Sequence, residues 1–204
     1  DKAYFYYTDE PYFDERYHSV EDSYKEVTAL FPGARMMVPF EYDPITYTGQ
    51  GLFEFMTPYV SIFCARMFHF TPEKYRNPPG TDYPLSVEET ARLGTYKSRI
   101  DKLCAENSDK ESWWYFARHP FEPYVSFHAE APGTHPRISF WQMKQNDITG
   151  VLYYLVNDWD GNPYRNIETV TGGGPTGNLP TMGTKTYGNG ILVYPGSKYD
   201  IYGP

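Results

Sequence analysis

Apolar residues return every three or four positions through residues 14–31, "DERYHSVEDSYKEVTALF", at Tyr17, Val20, Tyr24, Val27 and Leu30 or Phe31. That period predicts a helix, and Pro32-Gly33 ends it. Residues 86–107, "SVEETARLGTYKSRIDKLCAEN", form the clearest helical pattern, with Ser86 and Glu89 spaced as a capping box. A third helix is predicted around 136–147. Between the helices lie runs with little polar interruption: "AYFYYT" (3–8), "ARMMVPF" (34–40), "YVSIFCARMF" (59–68), "SWWYFAR" (112–118) and "TGVLYYLVND" (149–158). Continuous apolar runs of this length predict strands buried on both faces. A loop rich in Gly, Pro and Tyr follows Glu41, and a Gly-rich loop at about 160–190 precedes a last short strand, "ILVYP". A structureless stretch of that length is usually functional or poorly ordered.

Strands that alternate with helices predict an α/β fold with a parallel sheet. An eight-fold (β/α) barrel normally takes about 250 residues, and five strand-helix units are countable within 204 residues. The expectation is a single domain over residues 1–204, with no internal repeat. The composition, 40% hydrophobic and 22% charged, is that of a soluble globular chain, and no apolar run is long enough to span a bilayer. A net charge of −8 argues against nucleic acid or anionic membrane as a partner, because both select a basic surface. The 19% aromatic content suits a protein that stacks rings on planar or sugar faces, although most such rings fill cores. Cys64 and Cys104 lack disulfide-scaffold or metal spacing and are expected to be free and buried. No signal-peptide pattern is visible.

In a parallel barrel the chemistry gathers at the C-terminal ends of the strands. The residues there are Asp9 and Glu10; Glu41 and Tyr42; His69; Arg118 and His119; and Asn157, Asp158 and Trp159. Adjacent acids on an extended chain point to opposite sides, which would give Asp9 and Glu10 different tasks. A carboxyl in an aromatic, partly desolvated pocket serves as proton donor, and a solvated one stays ionised. The competing explanation is that Asp9-Glu10-Pro11 merely ends a strand and supplies negative charge to the next helix. His69 and His119 lack paired metal-ligand spacing, and no metal or other cofactor is expected. A G-x-S-x-G nucleophile motif is missing, and Gly172–Gly174 is no phosphate loop.

Taken in order, "YFYYTDEP", "ESWWYFARHP", "RISFWQMKQNDITGVLYYLVNDW" and "NGILVYPG" resemble the C-terminal half of the catalytic barrel of glycoside hydrolase family 123 and its uncharacterised bacterial relatives. The resemblance implies a TIM-type barrel of which this chain covers about strands four to eight. It would then be a fragment whose missing half comes from the same protein or another segment. It also implies a β-N-acetylgalactosaminidase-like hydrolase in which the sugar's own 2-acetamido oxygen attacks the anomeric carbon, an exception to the two-carboxylate geometry of most glycosidases. By that likeness Asp9 would orient the acetamido group and Glu10 would be the general acid and then base. Trp113 or Trp114, Tyr154 and Trp159 would be candidates for a sugar-stacking wall. Arg118 and Asn157 would bind hydroxyls, and Glu41, His69 and His119 would also contact substrate. A glycan substrate and a bacterial secreted, periplasmic or cell-surface setting follow from the same likeness. The alternative is a glycan-binding or structural module that keeps the fold without turnover; a redox or metal enzyme has no supporting motif.

Overall fold

A computed structural model describes residues 3–12, 14–70, 87–116, 124–127 and 131–153. The described elements run β1 (Phe5–Tyr6), α1 (Asp14–Leu30), β2 (Met36–Phe40), α2 (Leu52–Met56), β3 (Ile62–Arg66), a single 3-10 turn (Met67–Phe70), α3 (Val87–Glu106), β4 (Glu111–Phe116), α4 (His135–Gln145) and β5 (Gly150–Tyr153). The strands form one five-stranded sheet in sequence order, curled as a parallel half-barrel. Pairing is parallel from β1 through β4, with Tyr6 beside Met37, Met37 beside Ile62 and Ile62 beside Glu111. The expected α/β class with a parallel sheet is therefore present. The described residues divide between two units, one drawn from Asp1–Tyr115 and Met143–Leu152, the other from Phe116–Gln142 and Tyr153–Pro204.

In the first unit, side-chain alternation sorts each strand into two faces. Val38 and Phe40 of β2 and Phe63 and Ala65 of β3 pack against Tyr17 and Val20 of α1 and Tyr96 and Ile100 of α3, all of them buried. Met37, Pro39, Cys64, Arg66, Trp113 and Tyr115 occupy the opposite parity, on the face turned away from those helices. Burial on both faces explains why these strands read as continuous apolar runs.

Several local expectations change. The loop after Glu41 contains α2, a one-turn helix whose Leu52, Phe53, Phe55 and Met56 are buried in the core. It is anchored by Asp43, which is fully buried and accepts the Phe53 N–H at 2.9 Å. Both Arg92 and Arg99 of α3 pair with Asp43 and with Glu54 of α2, so four ion pairs tie α3 to the segment that leaves β2. The third strand stops at Arg66 and turns, which places His69 on the 3-10 turn. Cys64 and Cys104 are both free, but only Cys64 is buried; Cys104 is half-buried. Ser86 of the expected capping box, the 160–190 loop and the "ILVYP" strand lie outside the described residues.

In the second unit, the Phe127 ring meets Phe116 edge-on at 4.7 Å and Tyr153 edge-on at 5.3 Å. The Ser126 N–H donates to His135 Nδ1 at 3.3 Å at the start of α4, whose Phe140 and Trp141 are exposed.

Candidate functional site

The chain leaves β1 at Tyr6 and reaches Asp9 and Glu10 in a turn, not in extended strand. Glu10 has φ of +38°, in the left-handed region that non-glycine residues rarely enter. Such a conformation costs on the order of 1 kcal/mol or more and persists where the surroundings impose it. Here the constraints are visible: the Glu10 N–H donates to Pro39 O at 3.2 Å. Arg16 of α1 donates to the carbonyls of Asp9 and Glu10 at 2.9 and 3.3 Å, and the Tyr17 hydroxyl donates to Tyr12 O at 2.6 Å. Helix α1 thus holds the turn from one side and β2 from the other.

The expected strand alternation does not reach the two acids, which lie beyond β1 and take different partners. Asp9 is exposed, and its Oδ1 accepts the Tyr6 hydroxyl at 2.6 Å. Glu10 is half-buried and is held by two phenols: Tyr12 donates to Oε2 at 2.8 Å and Tyr115, near the end of β4, donates to Oε1. The Tyr12 oxygen also lies 2.7 Å from Oε2 of Glu41, the residue that follows β2. Oε1 of Glu41 is paired with Arg66, the last residue of β3. Arg66 is buried, with its guanidinium 5.8 Å from the Phe68 ring centre and 6.0 Å from that of Tyr115. Four strand ends therefore deliver Glu10, Glu41, Arg66 and Tyr115 to one place, and Tyr12 joins them.

Burial raises the phenols of Tyr12, Tyr115 and Tyr6 above the ordinary tyrosine range, and carboxylate neighbours add to the effect: Glu10 beside Tyr12 and Tyr115, Asp9 beside Tyr6. All three phenols remain protonated across the physiological range. They act as hydrogen-bond donors to carboxylates and never as phenolates.

His69 is fully enclosed. Its Nε2 lies 2.8 Å from Glu41 O, and its ring packs on Phe40, Phe68 and Tyr96, so it supports the Glu41 backbone from below. Trp113 shares the face of Arg66 and Tyr115. It donates from Nε1 to Glu111 Oε2 at 2.9 Å and meets Tyr4 edge-on at 5.2 Å. Trp114 points the other way and is fully buried against Phe70, which makes it a core residue. Arg118, His119, Tyr154, Asn157 and Trp159 lie outside the described residues. The sequence pattern did not single out Tyr12, Arg66 or Tyr115. Strand register carries a signal for the last two, because Arg66 and Tyr115 are paired neighbours on one face at the strand ends. No group of three His, Cys, Asp or Glu among the described residues is placed to hold a metal ion. No helix of the described residues is long and apolar enough to cross a membrane.

Neither a protein-family model nor a curated protein matches this chain.

Chemically, the arrangement supplies one carboxyl, Glu10, fixed in direction by two neutral donors, beside a second carboxyl, Glu41, whose charge is matched by a guanidinium. The exposed Asp9 is oriented by its own tyrosine. A half-buried carboxyl in a fixed orientation is the equipment of proton transfer to or from a bound oxygen.

Proposed function

We propose that the protein is a glycoside hydrolase acting on β-linked 2-acetamido sugars, with Glu10 as general acid and then base and Asp9 as the partner of the acetamido group. The observation that carries the proposal is the cradle of Glu10: a carboxyl in a strained turn at the end of a parallel strand, oriented by Tyr12 and Tyr115. The separate tethering of Asp9 by Tyr6 supports two distinct tasks for the adjacent acids. The half-barrel sheet is compatible with part of a TIM-type barrel, and a complete barrel of that type belongs to this proposal. In the mechanism, Asp9 accepts the acetamido N–H and steers its oxygen onto the anomeric carbon while Glu10 protonates the leaving oxygen. Water then opens the cyclic intermediate, giving its proton to Glu10.

Turnover of a 4-nitrophenyl β-N-acetylgalactosaminide, compared with the corresponding β-galactoside, tests this directly. The expected result is cleavage of the acetamido substrate alone and a loss on the order of 10²–10⁴-fold in Asp9→Asn. Equal cleavage of both substrates removes the substrate-assisted mechanism. One feature favours a second reading: both oxygens of Glu10 already accept protein hydroxyls, as in a structural tie. On that reading the protein binds a glycan without turnover, and saturable binding with no product release would replace the proposal.

A further inference from the structure

Glu10 is followed by Pro11. A proline ring crowds the residue before it and drives that residue toward an extended backbone, yet Glu10 has φ of +38°. The turn that aims its carboxyl at Tyr12 and Tyr115 is therefore disfavoured twice, by a positive φ without glycine and by the proline. Relaxation to the extended form would swing the carboxyl away from both phenols. One backbone tie opposes it, from the Glu10 N–H to Pro39 O at 3.2 Å. The other restraint is a side chain: Nη1 of Arg16 lies 2.9 Å from Asp9 O and 3.3 Å from Glu10 O. Arg16 is otherwise poorly placed. It is exposed and lies in the first turn of α1, where the helix dipole favours acids over cations. In a chain of net charge −8, its side-chain hydrogen bonds among the described residues go to these two carbonyls and to no carboxylate.

We infer that Arg16 is a positioning residue: its guanidinium gathers the consecutive carbonyls of Asp9 and Glu10 and so keeps Glu10 in the left-handed turn that presents its carboxyl. The inference rests on the catalytic reading of Glu10. It holds whichever protonation state that carboxyl rests in, because Arg16 hydrogen-bonds to the backbone of the turn and to neither carboxyl. Its effect is therefore on the direction of Glu10. Asp9 keeps a tether of its own, the Tyr6 hydroxyl at 2.6 Å, which does not involve Arg16. Removal of Arg16 accordingly acts on the proton-transfer step more than on the hold of the acetamido group, and it lowers kcat more than it raises KM.

Two substitutions separate this role from a merely structural one. Arg16→Met keeps an unbranched stem and removes every donor, whereas Arg16→Lys keeps a cationic donor that can serve both carbonyls. Wild type and both variants are compared in kcat and KM on methyl β-N-acetylgalactosaminide, in Tm, and in hydrogen exchange of the Glu10 amide against the amides of β3. In Arg16→Met, kcat is expected to fall about 10-fold with KM little changed, the scale of one hydrogen bond to a charged group. The Glu10 amide should exchange faster in that variant while the β3 amides do not. Arg16→Lys should recover most of the lost kcat. A wild-type kcat in Arg16→Met, with wild type active, overturns the inference and leaves the catalytic reading of Glu10 in place. A loss that lysine does not recover, accompanied by a lower Tm and faster exchange throughout β3, also overturns it, because Arg16 would then support the fold in general. Absence of cleavage by wild type overturns the catalytic reading and this inference with it.

Discussion

Asp43→Asn is the substitution for which the structure gives the sharpest expectation. Asp43 is two residues beyond Glu41, and its side chain is fully buried. Oδ1 accepts the Phe53 N–H at 2.9 Å and Arg92 at 3.1 Å; Oδ2 accepts Arg92 at 3.0 Å and Arg99 at 2.6 Å. Asparagine keeps the shape and one acceptor oxygen, but it turns an NH₂ toward a guanidinium and removes the charge that both arginines face. Glu54, 40% exposed, remains to neutralise them in part. Hydrogen bonds to charged groups contribute about 1.5–3 kcal/mol each, and breaking a buried pair costs about 3–5 kcal/mol. We therefore expect a destabilisation of about 3–5 kcal/mol. For a chain of this size that corresponds to a fall in Tm of roughly 6–20 °C. The assay is thermal and urea unfolding followed by near-ultraviolet circular dichroism, with Asp101→Asn as the control. That residue pairs with Lys97 on the surface of α3, where an ion pair contributes about 0–1 kcal/mol. A change below about 1 kcal/mol for Asp43→Asn would refute the claim that this network holds the segment leading from Glu41.

Other consequences are equally direct. Gly150→Ala would set a Cβ 2.2 Å from the Trp113 ring, which is fixed by Glu111 and Tyr4, so overpacking of about 1–3 kcal/mol is expected in urea unfolding. Burial raises the Glu111 carboxyl, but hydrogen bonds from Trp113, Arg35 and Thr149 outweigh it and hold the group below the ordinary value of 4.5. Its stabilising contribution is present above that value and is lost as pH falls through the folded-state value. Glu111→Gln should accordingly lower stability at neutral pH and flatten the acid-side decline in unfolding free energy; an unchanged acid limb would contradict this. The Cys64 thiol is pushed well above its usual range by complete burial, and half-buried Cys104 is raised less. Native protein should leave Cys64 unreactive toward a thiol reagent at neutral pH until urea unfolds the chain; prompt labelling of Cys64 would count against its burial.

The architecture was legible where burial is periodic. Helices α1 and α3 follow their apolar stripes, and β2 through β5 follow runs that fill both faces of the sheet. Helix α2 was not legible, because five residues in a Gly- and Pro-rich stretch give no period, and its anchor Asp43 reads as an ordinary loop acid. Adjacency and strand-end position pointed to Asp9, Glu10 and Glu41. Their surroundings were hidden because Tyr12 reaches Glu41 only through the left-handed turn at Glu10, a feature that Glu, unlike Gly, does not announce. His69 shows the converse: a strand-end imidazole that the fold encloses behind Glu41.

The central claim, that Glu10 in its tyrosine cradle is the proton-transferring residue of a glycoside hydrolase, is tested most directly by Glu10→Gln. The measurement is kcat on methyl β-N-acetylgalactosaminide, with Tm determined on the same preparation. The account predicts a fall on the order of 10²–10⁴-fold with the protein still cooperatively folded. A folded Glu10→Gln protein that turns over this substrate at the wild-type rate would contradict it.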